Sequence, residues 1–448
     1  MSTLLIGSAA DAHAATGLEK KVNPPKKRIL VIGAGLAGLI AAHKLQNQGY
    51  EVVVVEARDR IGGRIWTSSQ WPDMPLDLGA TWIHGVTGNP LTKLAQRIKA
   101  KRLSTSYGST LVYNTAGSPL SLQEQARLDQ LSRQVSQALK QAQSSDNDIS
   151  VKQTIESLFH QANLDMEERQ FLNFILSGSI EQEYAGSASE LSTQWYDDAK
   201  SFRGDDALFA SGFGVISEYL AQNLHIELGQ VVKEIHWIKS PIQIITDQAD
   251  HFVDHVIVTL PLGVLKAGSV RFTPELPPAK QEAIHKLGMG VLNKCYLRFS
   301  KAFWPAHVDW LEYISAQHGE WTEWVSFMRA ANLPVLLGFN AADRGREIES
   351  WTDQQIVASA MRTLKTLYGS AVPEPLDYQI TRWASDPFAL GSYSFNAVGS
   401  TPFMREELAK PLNGQLHFAG EASEAKHFST AHGAYLSGVR AAKEISEA

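Results

Sequence analysis

The chain is poor in several features that would settle its function at once. It carries one cysteine, Cys295, in 448 residues, which excludes an intramolecular disulfide framework and leaves the redox compartment open. No run approaches the roughly eighteen uninterrupted apolar residues of a membrane-spanning helix. Lys and Arg number 41 against 47 Asp and Glu, for a net charge of −6. Without a basic excess, nucleic acid is not the expected main partner, and a small cationic ligand is mildly favoured. The 14 histidines form no metal-ligand spacing, and neither HExxH nor G-x-S-x-G occurs, so no metal site or hydrolase elbow is expected. Internal repeats and low-complexity tracts are also missing. At the N-terminus, Leu4-Leu5-Ile6 is too short for a good signal-peptide core and has no basic segment before it. Residues 1–25 read as a flexible leader to a soluble chain. A cytoplasmic location is expected, with export left open by the small-residue stretch Ala12–Ala15.

What is present is a strand–turn–helix–strand unit. Ile29–Ile32 is a short apolar run closed by glycine, Leu36–Gln48 has helical spacing, and Glu51–Val55 is a second buried strand. Between them lies Gly33-Ala34-Gly35-Leu36-Ala37-Gly38, a G-x-G-x-x-G turn. Gly33 allows the tight turn, Gly35 lets backbone approach a pyrophosphate, and Gly38 lets helix and strand pack closely. Glu56, at the end of the second strand, suits a ribose hydroxyl pair. This context points to a dinucleotide. Further on, Ser121–Glu124 is a capping box ahead of Leu128, Leu131, Val135 and Leu139 on one helical face, and Asp165 with Glu168 marks another helix start. The stretch from about 205 to 290 returns to strands, among them His255–Thr259.

After Glu56 come Ala57-Arg58-Asp59-Arg60-Ile61-Gly62-Gly63-Arg64. This run resembles the E-A-x-x-R-x-G-G-R signature of the flavin amine oxidase superfamily, and the polyamine oxidases are the nearest branch. Three more segments extend the resemblance over nearly the whole chain from about residue 27. Asp77–Gly85 resembles the segment that wraps the flavin ring, bringing Gly79, Ala80, Thr81 and Trp82 to the cofactor. Gly420-Glu421 resembles the G-E motif whose acid bonds the ribityl chain. His432–Gly438 resembles the final helix, where Gly433 and Ala434 let backbone N–H groups approach the pyrimidine edge of the flavin. Val232 and Trp383 are assigned to the cofactor in the same way. The resemblance implies an α/β fold, a Rossmann-like FAD-binding domain with a discontinuous α+β substrate domain. Residues 26–94, 205–290 and 404–448 would form the first, and 95–204 with 291–403 the second. No cysteine lies near the C-terminal segment, so the FAD is expected to be non-covalent.

Candidate catalytic and substrate residues follow from the same likeness. Lys294 resembles the lysine that holds a water at flavin N5; by pattern alone it would be a solvent-facing strand lysine sharing a face with Arg298. Glu181 is expected to anchor a substrate amine. On a helix starting near Asp165 it shares a face with Phe171, Phe174 and Gly178, an unfavourable place for a carboxylate with no cation. It is solvated instead if that helix ends earlier. His84 faces the substrate tunnel in polyamine oxidases, where a neutral imidazole can accept from an ammonium or help it lose a proton; a packed histidine under the flavin is the equal alternative. Tyr393 resembles one wall of an aromatic cage, and the opposite wall falls at Thr430. The implied activity is oxidation of spermidine or spermine beside a secondary nitrogen, with O2 as acceptor. The products would be an aminoaldehyde such as 3-aminopropanal, a shorter polyamine and H2O2. Monoamine or L-amino acid oxidation and a non-catalytic flavin-bearing protein are the alternatives. The partners are small molecules, the chain is expected to be a monomer or weak dimer, and neither membrane nor nucleic acid is expected.

Overall fold

The structure is a computed structural model that describes residues 27–159 and 164–447. The expected leader lies outside the described residues. At the centre is a five-stranded parallel sheet in the order Leu416–Phe418, His255–Val258, Arg28–Ile32, Glu51–Glu56, His225–Leu228. Its middle strand is apolar on both faces, with Leu30 and Val31 fully buried, as a parallel sheet covered on two sides requires. One face is covered by helices Leu36–Asn47 and Ala431–Ser446. These helices come unusually close: a Cβ on Gly438 would sit 2.2 Å from the Ala37 carbonyl oxygen. On the other face lies a four-stranded sheet built from Val232–His236, Ile242–Thr246, Asp250–Val253 and Arg271–Thr273.

A six-stranded sheet forms the second framework, in the order Asp377–Ile380, Leu292–Arg298, Val335–Ala341, Glu323–Ser326, Trp310–Tyr313, Thr110–Tyr113. All its pairs are antiparallel except the last. The helix Leu122–Ala142 has the expected capping box, and Leu128, Leu131, Val135 and Leu139 form its buried stripe. Asp165 and Glu168 cap the helix Met166–Phe174 in the same way. That helix does not continue in α form to Glu181, as the sequence reading had it. It widens into a π-helix over Ile175–Gln182, which turns each later residue away from its α-helical bearing. Among the described residues no helix is long and apolar enough to cross a membrane.

Candidate active site

A cavity of about 880 Å³ runs between the two frameworks, large enough for a cofactor portion or a drug-sized ligand. The turn after the first strand forms one end. Gly33 has φ +105°, and a Cβ there would meet Thr259 Oγ1 at 2.5 Å. Gly35 faces open space on the cavity wall. Gly38 lies off the cavity, where a Cβ would be 2.0 Å from the Gly33 carbonyl oxygen. Each glycine thus has a different steric reason. Glu56 is buried; its Oε2 accepts from Ala34 N–H at 2.7 Å and its Oε1 from Arg58 N–H at 3.0 Å. Ala57, Arg58, Gly63 and Val232 also line this end. Arg58 makes a bidentate pair with Asp386 at 2.8 and 2.7 Å, which fixes its guanidinium.

Arg64 donates to the Ser392 carbonyl and to Glu421 Oε1, at 2.9 and 2.8 Å. The other Glu421 oxygen accepts from Ser394 Oγ at 2.6 Å and Ser429 N–H at 3.1 Å. Burial pushes the Glu421 carboxyl up, but Arg64, Ser394 and Arg405 outweigh it and hold the pKa below the ordinary value. Both oxygens are therefore engaged within the protein, and Glu421 first of all holds Arg64. A Cβ on Gly79 would lie 1.8 Å from the Arg64 carbonyl oxygen, and Ala80 N–H donates to that oxygen at 3.0 Å. Trp383 is buried and donates to the Leu78 carbonyl at 3.1 Å.

The final helix departs from the sequence reading. Gly433 N–H donates to Thr430 Oγ1 at 2.9 Å, and Ala434 N–H to the Thr430 carbonyl at 3.0 Å. The N–H groups of Ala431 and His432 are the ones left without a partner among the described residues, as the first donors of a helix are. Gly433 does not line the cavity; it is glycine because a Cβ would sit 1.9 Å from the His427 carbonyl oxygen. Thr430 does reach the cavity, but its hydroxyl donates to that same carbonyl at 2.7 Å while capping the helix. Its place in a cage wall is therefore filled by a committed cap.

Lys294 is buried, not solvent-facing. Its ammonium donates to the Asp77 and Gly79 carbonyls at 2.8 and 2.6 Å and to Thr81 Oγ1. Burial lowers its pKa, with the Asp77 charge opposing. Tyr393 lines the cavity and donates its hydroxyl to the Gln182 carbonyl at 2.7 Å. Trp82 packs parallel to Trp310, with ring centres 5.8 Å apart, and Tyr107 stacks on Trp310 at 4.4 Å.

Glu181 requires a correction. Its Oε1 accepts from Ala188 N–H at 2.9 Å and its Oε2 pairs with His318 at 2.7 Å. It does not line the cavity, whereas Gly178, Ser179, Gln182 and Glu183 do. The π-turn is the reason, since it replaces the α-helical face on which Glu181 was placed. Two further carboxylates on the wall were missed altogether. Glu312 and Glu323 sit directly opposite each other in neighbouring strands, a like-charge pairing that costs stability in an ordinary sheet. Glu323 Oε1 would lie 3.2 Å from a Cβ on Gly178, so glycine there makes room for it. Among the described residues, Glu183, Glu312 and Glu323 have no ion-pair or side-chain hydrogen-bond partner. Burial pushes Glu312 up to about 7, and burial with Glu312 and Glu183 nearby pushes Glu323 well above the ordinary range. A hairpin reading of Trp310–Ser326, with a lone acid in each apolar strand, is the signal that could have found the pair.

His84 lines the cavity with its Nδ1 2.8 Å from Asp206 Oδ2. Burial works against the charged ring, but Asp206 and then Glu183 outweigh it and raise the pKa. Asp206 thus makes the ring a stronger proton acceptor than a free imidazole.

A glycine-turn nucleotide cradle beside an acidic and aromatic chamber defines a dinucleotide-cofactor enzyme of two frameworks. Residues 36–446 match the family of flavin-containing amine oxidoreductases, and the chain belongs to it. Among its relatives is polyamine oxidase 4 of Oryza sativa subsp. japonica, 33% identical over 94% of this chain and 88% of that protein. Polyamine oxidase 2 of Arabidopsis thaliana is 32% identical over 93% and 87%. A lysine-specific histone demethylase 1 homolog of Oryza sativa subsp. japonica is 33% identical over 95% of this chain but only 53% of its own length. In fold, the chain is similar to a putrescine oxidase double mutant, with TM-score 0.76 and 20% identity, covering 94% of this chain and 99% of that one. The protein is an FAD-dependent amine oxidoreductase. The open backbone at Gly35, the buried acid Glu56 and, among the described residues, the unpartnered N–H groups of Ala431 and His432 fit that cofactor. Bound FAD supplies two-electron oxidation of the carbon beside an amine.

Proposed function

We propose that the protein oxidises spermidine or spermine at the carbon next to a secondary amine, with O2 as acceptor. The products are an aminoaldehyde such as 3-aminopropanal, a shorter polyamine and H2O2. The supporting observation is the set Glu183, Glu312 and Glu323: three carboxylates without a protein cation in the cavity that also holds Tyr393 and Trp383. Carboxyl groups crowded together on one cavity wall are costly to ionise, and a ligand with several ammonium groups lowers that cost. A monoamine would leave most of it unanswered. In this reading the residues around the nucleotide turn belong to one lobe and the six-stranded sheet with its helices to the other. Lys294 exchanges its Thr81 contact for a water held toward the cofactor, and Tyr393 aligns the reacting amine. FAD is held non-covalently, since Cys295 is buried away from the cavity wall.

The test is H2O2 release with spermidine, spermine, putrescine, a monoamine, an amino acid and a methylated-lysine peptide, with products identified. Preferred turnover of spermidine or spermine to a shorter polyamine supports the reading. Preference for any other member of the panel overturns it.

A further inference from the structure

The geometry points to Asp206 as a positioning residue that acts through His84, fixing the imidazole as a proton acceptor for the substrate ammonium. This rests on the reading of the cavity as an amine site, but not on which amine enters. Asp206 stands at the start of the strand Asp206–Phe209, which pairs with Trp82–Ile83, so strand register holds it against His84. Its two oxygens have separate duties. Oδ2 faces His84 Nδ1 at 2.8 Å, and Oδ1 accepts from Gly85 N–H at 2.8 Å. The His84 carbonyl is in turn held by Asn89 Nδ2 at 3.0 Å. A carboxylate can only accept, so the neutral ring must carry its proton on Nδ1. Nε2 then keeps its lone pair, and it has no partner among the described residues. About half of the side chain remains accessible.

The step balances simply. A substrate ammonium gives one N–H proton to Nε2, which leaves the amine with the lone pair that oxidation at the adjacent carbon requires. The imidazolium, stabilised by Asp206, later releases the proton to solvent. No electron changes hands. The other titratable groups facing the ring are Glu183 and, on the final helix, His432, which burial and the two neighbouring histidines hold neutral at ordinary pH.

Asp206→Asn tests the assignment sharply. Gly85 N–H fixes the amide oxygen of the new side chain, so its NH2 must point at His84 Nδ1. That forces the proton to Nε2 and removes the acceptor. Imidazole nitrogen NMR on protein with labelled histidine should show His84 as the Nδ1–H tautomer in the parent and the Nε2–H tautomer in Asp206→Asn. With the most active amine of the panel, kcat/KM should fall roughly a hundredfold in Asp206→Asn and in His84→Ala, with little further loss in the double variant. FAD content and melting temperature should stay near the parent's. An unchanged tautomer, an unchanged kcat/KM in folded FAD-loaded Asp206→Asn, or fully additive losses would each overturn the proposal. The NMR outcome does not depend on substrate, so a failed polyamine assay leaves this test intact.

Discussion

The two ends of the cavity are built by different means. At the nucleotide end the backbone does most of the work: Gly33, Gly35, Gly38 and Gly79 owe their identity to carbonyls and hydroxyls that a Cβ would strike, or to the space left open. At the far end the contacts belong to side chains on separate strands and helices, as with Glu312, Glu323, Glu183 and the Tyr107–Trp310 stack. A backbone cradle tolerates almost no substitution. A side-chain chamber can be retuned one residue at a time.

The most severe way to probe this contrast is Gly38→Val. A branched side chain where a single Cβ already lies 2.0 Å from a carbonyl should abolish FAD retention, so the protein should purify colourless or not fold. A yellow, stoichiometric Gly38→Val would show the cradle to be looser than described. Next is Lys294→Met, which strands the Asp77 and Gly79 carbonyls that the ammonium now satisfies. Reoxidation by oxygen should slow roughly a hundredfold, while amine affinity changes little; stopped-flow mixing separates the two.

The chamber end should respond in affinity rather than in folding. Glu312→Gln or Glu323→Gln should raise the KM for spermidine roughly thirtyfold, about 2 kcal/mol, and leave a monoamine unaffected. Equal loss for both amines would put these acids outside substrate recognition.

Their titration gives a pH signature. The folded Glu312 pKa, near 7, lies above the usual carboxylate value, so the native state binds the extra proton. Its contribution to stability is present at low pH and is lost as pH rises through 7. Polyamine affinity should run the opposite way, weakening as pH falls through 7. Thermal melts of the ligand-free protein at pH 5 and pH 8 should therefore show Glu312→Gln gaining stability over the parent at the higher pH only. The smallest effect is expected of Glu181→Gln. With both oxygens spent on Ala188 and His318, it should cost about 1–3 kcal/mol of stability and change polyamine affinity less than about threefold. The matching Glu183→Gln should move affinity more.

The same contrast governs what could be read from the chain. The first strand–helix–strand unit, the capped helices at Ser121 and Asp165 and the glycine turn were legible, because each depends on residues close together in the chain. Glu181 was misplaced because nothing in Ile175–Gln182 announces a π-turn, which puts Gln182 and Glu183 on the wall in its place. Gly433 was given to the flavin edge, when its constraint is the carbonyl of His427. The His84–Asp206 contact joins distant segments and the Glu312–Glu323 pair lies across one hairpin, and strand register reveals both.

The close crossing of Gly438 over Ala37 also constrains the order of events during synthesis. The helices Leu36–Asn47 and Ala431–Ser446 meet backbone to backbone, and the edge strand Leu416–Phe418 comes only shortly before the second of them in the chain. On the ribosome, the cofactor half must therefore wait, open along one flank, until the helix Ala431–Ser446 has emerged. The helices and sheet inserted between its segments can be assembled first.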